Sequence, residues 1–357
     1  MNFNTKIIRE GYDGKKCLVH ARCCFAHHIA VATAQHLDVA GCDLFDGLKA
    51  SFSFDGGASW SEFADQQGLM PIVTETDTIV GCDATPMHHK KTGKILLLGQ
   101  TVTYTAGDSR PDSYKRWTFY SIFDYETNTF SKMKLVEMPE GFEDCGNGSG
   151  QSLELENGDL LIPVYFTKPE DKGVFSSAVM RCNFDGENVS FVEMGNALTV
   201  NVGRGLYEPS IAYHNGKYYM TLRNDECGLV AKSDDGINYS GLKLWCWQDG
   251  SILQNYNTQQ HFMSIGEDLY LVYTRRGADN NRVFRHRAPL FAAKVENMHL
   301  IKETEFALTP ERGARCGNFG VTEYPDGKAA VMVAEWMQPI GCEKHGSNNA
   351  IFLSIVG

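Results

Sequence analysis

The segment Ser53-Phe54-Asp55-Gly56-Gly57-Ala58-Ser59-Trp60 constrains the architecture of this chain more than any other. Its S-x-D-x-G-x-x-W spacing suits a hairpin end that closes on itself. The carboxylate accepts hydrogen bonds from the loop's own amides, glycine supplies a positive φ, and the indole covers the end of the hairpin. A second, looser copy, Ser233-Asp234-Asp235-Gly236-Ile237-Asn238-Tyr239, keeps Ser, Asp and Gly and puts Tyr239 in the place of the indole. One copy is compatible with an ordinary turn. Two copies at matching places in hairpins imply that the chain repeats a β unit, and they report on architecture and not on chemistry.

The rest of the chain follows the same rule. It has little helical periodicity and many β-rich runs broken by Gly, Asp and Asn, the pattern of a sandwich, barrel or propeller. Corresponding hairpins recur at 24–35, 83–100, 150–166, 207–223, 259–273 and 317–335, several around the centres Thr92-Gly93-Lys94, Asn157-Gly158-Asp159, Asn215-Gly216-Lys217 and Asp326-Gly327-Lys328. Six units in 357 residues fit the ~50 residues of a four-stranded blade, which predicts an all-β, six-bladed β-propeller filling residues 1–357 as one domain. Lys6-Ile7-Ile8 is expected beside 350–355, closing the ring. The long stretch 104–144 leaves seven blades as the alternative.

Composition narrows the function classes. A net charge of −11 disfavours nucleic acid and anionic membrane surfaces as partners, so an anionic ligand would need a local Arg or His cluster. No apolar run reaches the ~20 residues of a membrane span, and the first residues lead into no signal-peptide core, so a cytoplasmic location is expected. Eleven cysteines, an odd number with no C-x-x-C pair, are expected as reduced thiols. Self-association into a homo-oligomer stays open.

In a propeller the inner strands deliver distant residues to one central channel. The polar residues at those ends are His20 and Arg22; Asp43 and Asp46; Asp83, His88 and His89; Tyr207, Glu208 and Arg223; Gln260 and His261; Arg275, Arg276, Arg282, His286 and Arg287; and Arg312 and Arg315. Seven arginines between 275 and 315 read as a carboxylate clamp, because a guanidinium fork donates two parallel hydrogen bonds, or as inter-blade salt bridges.

With both turns on the page, the chain resembles the sialidase superfamily of Asp-box propellers. The resemblance implies that Arg22 belongs to a triad binding the substrate carboxylate and that Arg287, before Pro289-Leu290-Phe291, is a second member. It implies an acid/base role for Asp43, ten positions before Ser53, with Asp46 as the rival. Cys82-Asp83-Ala84-Thr85-Pro86 is similar to the family's second-blade strand, and Glu208 stands where that family's nucleophile-activating Glu would be. Two departures set this chain apart. Gly228-Leu229-Val230-Ala231 replaces the middle arginine, leaving Arg223 as a substitute, and Asn318-Phe319 stands where the nucleophilic Tyr is expected. A covalent tyrosyl intermediate is therefore not expected.

Three readings follow. The first is a glycoside hydrolase for a small acidic oligosaccharide or glycoconjugate, inverting, with Asp43 as acid and Glu208 as base. Arg22, Arg223, Arg275, Arg276, His286, Arg287 and Gln260 would bind the substrate. The second is β-elimination from a uronate by His88, His261 or His286 with Tyr104 or Tyr207. The third is a non-catalytic glycan-binding propeller using Trp117, Tyr120, Tyr165, Tyr207 and Tyr256 as platforms. No cofactor is expected; a metal on His20, His88, His261 and His286 has no H-x-x-x-H spacing to support it.

Overall fold

A computed structural model describes residues 2–41, 43–105, 111–112, 116–142, 144–171 and 173–357. The strands form six small antiparallel sheets, each a blade of a β-propeller. Blade 1 is built from Lys16–Ala26, Ile29–Asp38, Phe45–Ser53 and Ala64–Asp65, and blade 2 on Asp77–His89, Lys94–Thr105 and Thr118–Asp124. Blade 3 contains Leu160–Phe166, Ser176–Phe184 and Val189–Met194, and blade 4 contains Tyr207–His214, Lys217–Arg223, Leu229–Ser233 and Ser240–Leu244. Blade 5 is built on His261–Ile265, Asp268–Tyr273 and Phe291–Glu296, and blade 6 on Phe319–Tyr324, Lys328–Ala334 and Ile351–Val356. Phe3–Arg9 pairs with Ile351–Val356 as the outer strand of blade 6, so the ring closes through the amino-terminal strand. The stretch 104–144 forms no seventh sheet among the described residues; its Thr118–Asp124 joins blade 2.

Local chemistry explains the hairpins. His214 pairs with Lys217 across Asn215 and Gly216, whose φ values of 48° and 76° give the doubly left-handed two-residue turn that Asn-Gly favours. At the first S-x-D turn, the Ser59 amide donates to Asp55 (2.9 Å), the Gly57 amide to Ser53 Oγ (2.8 Å) and the Trp60 indole to the Gly57 carbonyl (3.0 Å). The second repeats this in a shorter loop: Gly236 takes the Ser233 Oγ bond and Asn238 the Asp235 bond. Both turns join the third and fourth strands of their blades, and Tyr239 is buried in the aromatic place.

Apolar side chains interleave between neighbouring blades. Leu96, Leu98, Leu160, Ile162 and Met180 fill the seam between blades 2 and 3, and Val272, Leu290, Phe319, Val331 and Phe352 that between blades 5 and 6. Each such side chain contributes roughly 1.5–3 kcal/mol on burial. Ten cysteines are free thiols, nine of them buried, and burial pushes Cys17 and Cys182 up to about 12. Cys42 lies outside the described residues. Among the described residues, no helix is long and apolar enough to cross a membrane.

One irregularity recurs where it matters for the site. The pairing register slips between Val19 and Arg22, between Cys82 and Thr85 and between Tyr207 and Ser210. At each slip a non-glycine residue takes a positive φ: His20 at 56°, Asp83 at 51° and Glu208 at 48°. A bulge of this kind re-aims a side chain, and the left-handed conformation costs of order 1–3 kcal/mol at a bulky residue.

Candidate active site

His20, Asp83 and Glu208 all face one cavity of about 500 Å³ at one end of the channel. Asp43, Arg116, Tyr165, Phe175, Arg204, Tyr207, Arg223, Arg285, Arg287, Arg315, Asn318, Trp336 and Gln338 complete most of its lining. Among the described residues that is six arginines against three carboxylates, Asp43, Asp83 and Glu208.

The arginines differ in how their charge is met. Arg116 pairs with Asp144 (3.1 Å) and lies over the Tyr165 ring at 4.5 Å. Arg204 pairs with Asp225 (2.7 Å) and stacks on Tyr207 at 4.8 Å. Arg223 donates to both oxygens of Glu208, at 2.6 and 2.7 Å, and lies 4.6 Å from the Tyr207 centroid. Burial works against the Arg223 charge, but Glu208 and Tyr207 outweigh it and raise its pKa. Arg315 donates to Gln338 at 2.5 Å and stacks on Trp336 at 4.3 Å.

Among the described residues neither Arg285 nor Arg287 forms an ion pair with a carboxylate, and Arg287 is the buried one of the two. It is buried, its Nε and Nη2 both donate to the Asn257 carbonyl, and among the described residues no carboxylate pairs with it. Burial, then Arg223, Arg315 and Arg285, push its pKa well below the usual arginine value, against a smaller opposing effect of Glu208. Gly317 makes room for it: a Cβ there would lie 2.7 Å from Arg287 Cδ.

Arg22 runs across the channel. It is fully buried and donates to the Phe319 carbonyl (3.1 Å), Asp83 (3.3 Å), Ser149 (3.1 Å) and Gln259 (3.2 Å), tying blade 1 to blades 2 and 6 and to the strand approaches of blades 3 and 5. A Cβ on Gly320 would meet Arg22 Cγ at 2.7 Å, so glycine there is a steric requirement. Burial would raise the Asp83 pKa, yet His20, Arg22 and Ser149 together lower it. Tyr207 donates its hydroxyl to Asp225 (2.6 Å), and burial raises its pKa. Burial acts against the charge of Asp225, but bonds from Arg204 and Tyr207 overcome it and hold its carboxyl below the usual carboxylate range.

Of the residues expected from sequence, His20, Asp43, Asp83, Tyr165, Tyr207, Glu208, Arg223, Arg287 and Arg315 meet in this cavity. The others do not. Arg22 is not part of its lining, being consumed by inter-blade bonds. His88 lines a second cavity of about 650 Å³. Asp83 and His88 share the strand Asp77–His89, and five residues at ~3.3 Å each carry it to the other end of the channel. His261 is buried between Ser210 Oγ (2.8 Å) and the Phe319 carbonyl (3.1 Å), and burial, with Arg22, pushes it down to about 3. Gln260 accepts from Thr221 at 2.6 Å inside the core. Arg275 is clamped to Glu305, Arg276 stacks on Tyr256 at 3.6 Å, and His286 bonds the Tyr256 hydroxyl at 2.6 Å.

The four histidines considered for a metal are thus dispersed. Asp46 pairs with Lys16 on the surface, which leaves Asp43 as the cavity carboxylate of the two. Tyr104 donates to the Asp43 carbonyl at 2.5 Å and shapes that loop. Arg116 and Arg204 went unrecognised in the sequence; they enter from loops that carry no motif.

No protein-family model matches the sequence, and no curated protein matches it. Solved structures do. A Dyadobacter fermentans protein described as of unknown function superposes with a TM-score of 0.69 at 13% identity, over 99% of this chain and 98% of the other. Trypanosoma rangeli sialidase superposes at 0.66 and 15% identity over 100% of this chain, which spans 59% of the trypanosomal one. A Hadza microbial sialidase gives 0.68 at 12% identity, over 99% and 68%. The chain is a sialidase-like six-bladed propeller, at identities that establish the fold alone.

Proposed function

We propose that this propeller is a glycoside hydrolase whose central cavity takes a small acidic glycan. The observation that carries the reading is Arg287, a buried guanidinium among Arg223, Arg285 and Arg315 that pairs with no carboxylate among the described residues. An anionic sugar group supplies the missing charge, and the fork of Arg287 suits a carboxylate. The volume of about 500 Å³ fits a small ligand. The sialidase likeness of the fold supports a glycan as the ligand.

In this scheme the wall carrying Asp43 supplies the proton for the leaving oxygen, and water attacks the anomeric carbon directly. Asn318 stands on the cavity wall where a tyrosine nucleophile is absent. Glu208, with both oxygens on Arg223, orients that arginine and is not an available base, which changes the role expected for it from sequence.

The test is a set of methylumbelliferyl glycosides in matched acidic and neutral pairs, glucuronide with glucoside and galacturonide with galactoside, together with the N-acetylneuraminic acid glycoside. Turnover of an acidic member without its neutral partner is expected. Arg287→Met is expected to reduce kcat/KM on that substrate by about 10- to 100-fold, the range of a lost hydrogen bond to a charged group. Equal turnover of acidic and neutral members would contradict the proposal.

A further inference from the structure

His20 is 2% exposed, and it is part of the cavity lining. Its Nδ1 lies 3.0 Å from Gln35 Oε1. The orientation of that amide is fixed by its own donors, because Gln35 Nε2 faces the carbonyl oxygens of Asp46 (3.2 Å) and Gly81 (3.3 Å). Turning the amide over would set its oxygen against two carbonyls. Nδ1 therefore carries the proton, and in the neutral ring Nε2 is a bare acceptor.

Nε2 stands 3.3 Å from Asp83 Oδ1, and that oxygen is itself held by Ser149 Oγ (2.8 Å) and Arg22 (3.3 Å). The charged groups facing the imidazole are Asp83 from blade 2, Arg22 from its own strand and Asp43 from the following loop; Phe45 and Trp336 pack on its ring at 5.0 and 5.4 Å. Burial, opposed by Asp83 and joined by Arg22, moves its pKa below the usual histidine value of 6.5. The ring is thus neutral near pH 7, with a carboxylate beside it to stabilise an imidazolium once formed.

We propose that His20 is the catalytic base of this cavity, its Nε2 taking a proton from the water that attacks the anomeric carbon. The new C–O bond forms as the glycosidic C–O bond breaks, and the leaving oxygen takes the proton of Asp43. The step ends with His20 as imidazolium beside Asp83 and with Asp43 as carboxylate; solvent carries one proton from the first to the second before the next turnover. This inference rests on the reading of the cavity as a hydrolase site.

The test uses His20→Asn, a residue that tolerates a positive φ, on whichever acidic methylumbelliferyl glycoside the wild type cleaves. The expected result is a kcat lower by about 10²- to 10⁴-fold, little change in KM, a cooperative thermal transition that shows the variant folded, and loss of the acid limb of the pH profile. Asp83→Asn is expected to move that limb to lower pH, because the charge that favours imidazolium is gone. Side-chain 15N NMR of the wild type at neutral pH is expected to find Nδ1 protonated and Nε2 bare. A folded His20→Asn with wild-type kcat, or a protonated Nε2, overturns the assignment to His20. A wild type inert toward every acidic glycoside overturns the hydrolase reading beneath it.

Discussion

At the scale of single residues, the cavity is organised by charges that cannot escape to solvent. Glu208 and Arg223 are the clearest pair, with side chains only 11% and 9% exposed and two short bonds between them. Removing one partner of such a pair strands the other, at about 3–5 kcal/mol. Glu208→Ala is therefore expected to lose that much stability in chemical denaturation, while Glu208→Gln, which keeps an acceptor for Arg223, is expected to lose less. Asp225 sets a pH dependence. Its folded pKa lies below the unfolded value of ~3.9, so its contribution is present above about pH 4 and is lost as pH falls through the folded pKa. The midpoint of urea unfolding should fall between pH 5 and pH 3, and Asp225→Asn should flatten that fall.

At the scale of elements, hairpins were legible in the sequence and side-chain direction was not. Asn215-Gly216 and Ser53–Trp60 announce turns because only a few residue types suit their backbone angles. Nothing local distinguishes Tyr207-Glu208, which reaches the cavity, from Gln260-His261, which turns into the core; the difference lies in a bulge set by pairing with the neighbouring strand. Arg275 and Arg287 look alike in the arginine-rich stretch. The presence of Glu305 beside one and its absence beside the other depends on how blade 5 packs. The amino-terminal strand, by contrast, was legible from its β-rich pattern, and it leads to a prediction. Deleting residues 2–10 would expose the edge Ile351–Val356, so a lower melting temperature and concentration-dependent aggregation are expected by calorimetry and light scattering.

At the scale of the whole molecule, the six blades hold a cation-rich cavity at one end of the channel, with Arg22 tying the blades together. The excess of arginine is local, since the chain as a whole carries a net −11. The most direct measurement is mass analysis of the products formed from sialylated and uronic-acid oligosaccharides in 18O-labelled water. Hydrolysis at this cavity predicts one labelled oxygen at each new reducing end and no absorbance in the near ultraviolet. Products that carry no label and show an absorbing unsaturated uronate would mean elimination, and intact oligosaccharides throughout would mean a propeller that binds without cleaving; either result contradicts the hydrolase account.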